Sequence, residues 1–456
     1  MVNILPKFLQ SAATPPKIQS LPSEARANSS SPEHILSDLT KSNPDSEPGI
    51  SDVVISRDKW NHPRVNTWRL AAIFFAFFNF GLNDASYGAL LPYIEADYHT
   101  SYLVTSLVFL SPFSGYAIAA LFSDSLHRLF GRRGIAFFGP TCKITAYIVI
   151  STHPPYPAVV AVFSLAGMGN GLLDAAWNAW IGTMDQQNQL LGLLHGCYGL
   201  GATISPLVGT AMVTKGQLGW WTFYYIMAGL VTVEVVVGTA AFWTATGTEY
   251  RDANSLGGEG KGMTKLALKQ KVTLICSAFF LIYVGTEVSL GGWIVTFMMR
   301  IRHGQPFASG MTATGFWLGL TIGRVSLGFV TPRIGERLAV SIYLVVAMVC
   351  ELIFWLVPQF MVSAVAVALI GVSIGPLFPA GIVAATKLLP QEMHVAAVGF
   401  SAAIGGGGAA VMPFAVGAIV QARGVQTLQP LILGFLVLLL AIWLMLPRIP
   451  RHEHQS

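Results

Sequence analysis

Twelve apolar runs, each long enough to cross a bilayer, constrain this chain more than anything else in it. A helix needs roughly 20 apolar residues to span the hydrocarbon core, so twelve helices need roughly 240. A chain of 456 residues with 53% hydrophobic and only 11% charged residues supplies them. The runs lie at about 68–92, 102–123, 134–153, 157–184, 190–214, 221–245, 271–300, 307–331, 338–357, 360–388, 393–420 and 427–447. In lipid, backbone groups must satisfy one another within the segment. The pattern therefore predicts an all-α integral membrane protein of twelve transmembrane helices. Soluble chains carry about a quarter charged residues, so an ordinary cytosolic enzyme and a disulfide scaffold are poor fits. The net charge of +5 is no nucleic-acid signal, because Lys and Arg sit in short segments between the runs and not on one face.

The chain divides into five parts. Residues 1–67 hold eight prolines and eleven serines, a composition that cannot bury enough surface to order itself. They read as a disordered cytosolic tail without a signal peptide. Residues 68–245 and 271–447 form two six-helix bundles, joined by a polar loop at 246–270 and followed by a short tail at 448–456. With the N-terminus inside, sixteen Lys and Arg near the membrane fall on the inner side and four on the outer. That asymmetry puts both termini in the cytosol and leaves the Asn28 glycosylation sequon silent. The loop after span 2 (Asp124 to Arg133, with Gly131) and the loop after span 8 (Gly328 to Arg337, with Gly335) share a turn and a basic cluster. Such recurrence marks two pseudo-symmetric halves, the usual build of secondary transporters. Small residues four apart, as at Gly315, Gly319 and Gly323, fit close helix packing. Cys142, Cys197, Cys276 and Cys350 lie within apolar runs and read as small buried hydrophobes. No metal or cofactor motif is present; the glycines at 167, 169 and 171 lie inside a span, where a dinucleotide loop has no strand before it.

Seven Asp, Glu, Lys or Arg side chains fall well inside spans: Asp84, Lys143, Asp174, Glu234, Glu287, Arg324 and Glu351. Each costs roughly 2.5–3.5 kcal/mol at mid-membrane on insertion scales, so such groups face polar cavities, carry protons or pair. Asn79, Asn83 and Tyr87 in span 1 are four apart and share a face, with Asp84 at its border. This polar stripe is expected to line an aqueous cavity. Asn170, Asp174 and Asn178 in span 4 repeat the arrangement, with Trp177 expected beside them to stack on a solute. At 1.5 Å per residue, Asp84 lies roughly 24 Å from the inner end of its span and Asp174 roughly 25 Å from the outer end of its own. Two carboxylates at staggered depths suit proton exchange with opposite sides. Glu287 and Trp293 in span 7 and His195 in span 5 complete the substrate-binding candidates. Lys143, Glu234 and Glu351, in spans of little other polarity, read as snorkelling or structural. Arg324 reads as part of a cytosolic charge network. With Asp124, Arg132, Arg133 and Arg333 it makes up the gating or structural candidates.

These residues carry a resemblance to the major facilitator superfamily, and within it to the fucose-permease-like proton symporters, especially fungal members. The carriers are Leu82-Asn83-Asp84, Leu173-Asp174-Ala-Ala-Trp177-Asn178, Gly375-Pro376-Leu-Phe378-Pro379 and Gly407-Gly408-Ala-Ala-Val-Met-Pro413, over about residues 68–447. The resemblance implies alternating access around a midplane cavity built by spans 1, 4, 7 and 10. It also implies that Asp84 and Asp174 serve proton coupling and sugar binding. Four departures stand out: Asp174 replaces a longer Glu, the first basic loop has a longer Asp124-to-Gly131 spacing than the superfamily's usual motif, Pro332 in the second stands where that motif has an acid, and His195 stands where the sugar symporters have an amide. The leading reading is a proton-coupled transporter of a small organic solute, with protons and the bilayer as its other partners. No nucleic acid, cofactor or obligate protein partner is called for. The plasma membrane is the default location. An exporter of a secondary metabolite and a non-transporting nutrient receptor remain alternatives; an intramembrane enzyme lacks a convergent catalytic set.

Overall fold

The computed structural model describes residues 58–254, 266, 269–390 and 393–448. The tail through residue 57 with its sequon, most of the central loop with Lys261 and Lys265, and the chain end with Arg451 lie outside the described residues. The elements are α1 (Val65–Tyr98), α2 (Tyr102–Thr105), α3 (Leu107–Ser151), α4 (Tyr156–Gly182), α5 (Gln187–Thr214), α6 (Phe223–Ala241) and α7 (Gly247–Asn254). Then follow α8 (Lys271–Arg300), α9 (Pro306–Ile334), α10 (Glu336–Leu356), α11 (Phe360–Ile374), α12 (Leu377–Leu388), α13 (His394–Arg423) and α14 (Leu428–Met445).

Eleven described stretches are long and apolar enough to cross a membrane. One of them, Tyr102–Ser151, has 50 residues, about 75 Å of helix against a hydrocarbon core of about 30 Å. It is two spans. The break is Gly131, at φ 70° and ψ −166°, a region open essentially to glycine alone. A side chain there would also strike the backbone of Ala245 and Thr246. The matching turn in the second half, Gly335 between α9 and α10, takes φ 93°. The recurrence noted in the sequence is thus a shared backbone device, and the spans number twelve among the described residues.

Large apolar side chains such as Leu121, Phe122, Phe329, Leu356 and Met361 cover the outside of the bundle. A continuous apolar exterior on helices of this length marks a multi-pass membrane protein. Cys276 and Cys350 are buried as expected, whereas Cys142 and Cys197 are only half-buried, and all four thiols are free.

The halves meet mainly through α1 with α8, α5 with α9, and α13 with α2 and α3. Polar and ring contacts between them cluster toward the membrane face opposite the chain ends. There Arg300 pairs with Glu95 at 3.5 Å, the Tyr102 backbone amide donates to Gln421 at 2.9 Å, and Lys215 caps the Phe307 ring at 3.8 Å. Gly88 on α1 packs directly on the backbone of Gly291 and Gly292. At the other face, among the described residues, the ion pairs Arg128 with Asp124 and Lys387 with Glu336 each lie within one half. Polar and ring contacts therefore hold the two bundles together at the first of these faces.

Candidate functional site

Asp84 stands near the seam between the halves, the gap that a solute would enter. It is half-buried on a stretch of α1 whose neighbours are almost wholly buried. Its Oδ1 accepts from the Asn83 amide at 3.1 Å, and its Oδ2 accepts from the Tyr198 hydroxyl of α5 at 3.1 Å. Tyr198 is also within electrostatic range of Glu287 and Arg324 on the opposite half. Asp174 on α4 is half-buried as well. It accepts from the Asn178 amide at 2.7 Å and lies within electrostatic range of Asp84.

The second half contributes a base and an acid. Arg324 Nη2 lies 3.5 Å from Glu287 Oε2 and 3.3 Å from the Tyr283 hydroxyl, and its Nε donates to the Gly375 carbonyl at 3.3 Å. Both charged side chains are largely buried, at 15% and 8% exposure. His195 packs edge-on against Phe77 and tilts over Phe378 at 6.2 Å, joining the two halves. A carboxylate with a tyrosine on one wall thus faces a guanidinium–carboxylate pair on the other, with Phe378 and His195 beside them. Such a set offers hydrogen-bond donors and acceptors to a polar solute and a flat apolar face to its CH groups.

Several expectations change. The stripe Asn79, Asn83 and Tyr87 does not line the gap. All three are buried inside their own half: Asn79 donates to Glu234 at 2.8 Å, Asn83 donates to Tyr87 at 2.8 Å, and Tyr87 packs edge-on against Phe109 and Phe163. Periodicity identifies a shared face but not what lies against it. Asn170 is buried too. Trp177 stacks on Phe242 at 4.5 Å in a core cluster, away from the gap. Trp293 is fully buried, and its indole donates to the Pro413 carbonyl at 3.0 Å; it seals α8 to α13 where a solute contact was expected. Arg324 belongs to the membrane interior and not to a cytosolic network. Of the two readings of Lys143, snorkelling or structural, the second holds: it is wholly buried and bonded to Glu234. Glu351 is also wholly buried, with no hydrogen-bond partner on either oxygen.

Of the loop charges, Asp124 pairs with Arg128 at 2.8 Å on an exposed helix face. The Arg133 backbone amide donates to the Ala245 carbonyl, and its guanidinium covers the Trp243 ring. Arg132 is half-buried and Arg333 is exposed. The residues missed by sequence reasoning are Tyr198 and Tyr283. Their signal was weak, since a tyrosine in a membrane helix is ordinary. A surface groove of about 490 Å³ between Gly335–Ser341 and Leu444–Arg448 borders none of the candidates.

The two kinds of ion pair differ in weight. Arg324→Met strands the buried Glu287 and is expected to cost about 3 kcal/mol, as when one partner of a buried pair is removed. Asp124→Ala breaks a pair about two-thirds exposed and is expected to cost less than about 1 kcal/mol. Thermal denaturation of the purified variants in detergent reads both; equal losses would contradict this placement of Arg324.

The sequence profile described as Major Facilitator Superfamily matches residues 73–297 and 274–456. The chain is 30% identical over 454 residues to Bypass of stop codon protein 6 of Saccharomyces cerevisiae, covering 90% of each chain. It is 22% identical over 351 residues to the glucose/mannose transporter GlcP of Bacillus subtilis, covering 75% of this chain and 85% of that one. A glucose/galactose transporter of Brucella abortus is 22% identical over 276 residues, 56% of this chain and 65% of the other. Among solved structures, the nucleoside transporter NupG superposes with a TM-score of 0.65 at 15% identity, over 84% of this chain and all of that one.

Proposed function

Because the chain belongs to the Major Facilitator Superfamily, we propose that it is a secondary active transporter of a sugar-like solute, coupled to protons through Asp84 and Asp174. The observation that carries this reading is Tyr198: it donates to Asp84 of one half while sitting within electrostatic range of Glu287 and Arg324 of the other. A solute entering between the bundles meets Asp84, Tyr198 and His195 on one side and the Glu287–Arg324 pair and Phe378 on the other. Protonating Asp84 changes what it offers Tyr198 and the solute, so proton and solute occupancy act on the same hydrogen bonds. Two relatives whose names specify glucose with mannose or galactose support a sugar-ring substrate. The motifs in spans 1 and 4 favour the fucose-permease-like branch and its fungal members.

The bundles at 68–245 and 271–447 are the two moving bodies, and 246–270 tethers them. The tails, 1–67 and 448–456, lie in the cytosol by the distribution of Lys and Arg, and the membrane is the plasma membrane. Solute exchange proceeds by rocking of the two bundles about the site.

Purified protein in proteoliposomes tests the reading. Glucose, mannose, galactose and a set of small hydrophobic metabolites are added while internal pH is followed. A pH change on adding a sugar is the expected result. Sugar flux without any pH change would make the protein a uniporter, and a response confined to the hydrophobic metabolites would favour an exporter.

A further inference from the structure

Lys143, Glu234 and Asn79 form a buried polar knot that the proposed solute path does not use. Lys143, on the second stretch of α3, is wholly buried, and Glu234 on α6 is 3% exposed. The ammonium lies 2.9 Å from both carboxylate oxygens, and Asn79 on α1 donates its amide to one of them at 2.8 Å. The stem of Lys143 passes α4 at Gly169, where an added Cβ would stand 2.9 Å from Lys143 Cγ. Four helices of one half therefore converge on a single ion pair. As a source of stability alone such a pair is a poor device: the desolvation of two charges offsets most of their attraction, and apolar residues of equal volume do as well or better.

Its position points to another use. Asn79 stands five residues before Asp84 on α1, roughly 7.5 Å along the axis. The charges acting on Asp84 from the helices around it are Asp174 on α4 and Lys143 on α3; Tyr198 on α5 bonds to it, and Tyr87 on α1 with Tyr116 and Tyr147 on α3 lie within range of its own charge. Lys143 is the one cation in that set. Arg324, across the gap, acts on Tyr198 and is engaged by Glu287. In a medium of low polarity the field of a fixed ion pair is felt over such distances.

We propose that Lys143, anchored by Glu234 and Asn79, is the counter-charge that governs proton release from Asp84. It is a positioning residue, since it touches neither the solute nor the transferred proton. The inference rests on Asp84 being the coupling group proposed above. Glu234 holds the ammonium in place and balances it within the membrane. Asn79 ties the pair to the helix that carries Asp84, so the counter-charge keeps its place relative to that carboxyl as the bundle moves.

Infrared pH titration of the purified protein tests this without a known substrate. The carboxyl band of Asp84 is identified by its loss in Asp84→Asn, and its titration midpoint is then compared among variants. The first variant exchanges the pair, Lys143→Glu with Glu234→Lys, which keeps an ion pair but reverses the charge facing Asp84. The second removes both charges, Lys143→Met with Glu234→Met, the kind of replacement buried pairs tolerate. Lys143→Arg keeps the cation. Displacement of the midpoint by about one pH unit or more, tenfold in proton affinity, is expected in each double variant that melts near wild type. Lys143→Arg is expected to titrate as wild type does. A wild-type midpoint in a stable double variant would reduce the knot to scaffold and overturn the inference while leaving coupling through Asp84 untouched. A wild-type protein with no titrating Asp84 band would overturn the coupling reading and this inference together.

Discussion

Asp84→Asn is expected to lower solute-linked proton movement by about a hundredfold or more, the scale for losing a positioned proton carrier, while solute exchange between the two faces continues. The amide has the size of the carboxyl, and its oxygen still accepts from Tyr198, so the wall of the site keeps its shape. It has no proton to gain or lose between the two faces. Counterflow of labelled sugar in proteoliposomes reads the retained exchange, and an internal pH trace reads the lost coupling. Asp174→Asn is expected to fall in the same class. If both variants carried solute and protons as wild type does, the aspartates would be solute-binding or structural groups and coupling would lie elsewhere. Loss of exchange together with coupling would assign Asp84 to solute binding first.

Gly88→Leu is expected to stop transport by holding open the face opposite the chain ends. Gly88 packs on the backbone of Gly291 and Gly292, and an added Cβ would stand 2.7 Å from Gly292 Cα and overlap the Gly291 carbonyl. Backbone atoms cannot turn aside as a flexible side chain does, so the bundles must separate there. Overpacking of this kind costs about 1–3 kcal/mol, which moves a two-state equilibrium by about 5- to 150-fold. Spin labels at Val104→Cys and Ala422→Cys, exposed positions on opposite bundles near that face, read the separation. A longer label distance with intact folding is expected. An unchanged distance with normal transport would mean that this contact is not part of the closed gate.

The membrane architecture was legible because it depends on local quantities. Run length against bilayer thickness fixes the spans, as Val65–Tyr98 and Lys271–Arg300 illustrate. The two halves were legible from Gly131 and Gly335, since a turn that glycine alone accommodates leaves its mark in the residue itself. Positions of the acids along the helices were legible for the same reason. Their partners were not. Lys143 and Glu234 are 91 residues apart, Asn79 and Glu234 are 155 apart, and Arg324 and Glu287 are 37 apart. No spacing rule within one helix reaches that far.

The aromatic residues show the limit most clearly. Trp177 and Trp293 each stand near an acid in the sequence, yet each turns away from the gap, one onto Phe242 and the other onto Pro413. Sequence alone determined twelve helices in two halves and the helices that carry charge, because hydrophobic length and glycine turns are properties of contiguous residues. Tertiary structure alone decided which face of each helix meets the gap. It set Tyr198 on Asp84, closed Lys143 onto Glu234 and drew Arg324 to Glu287, because a charge in a low-polarity interior must find its partner wherever packing brings one within reach.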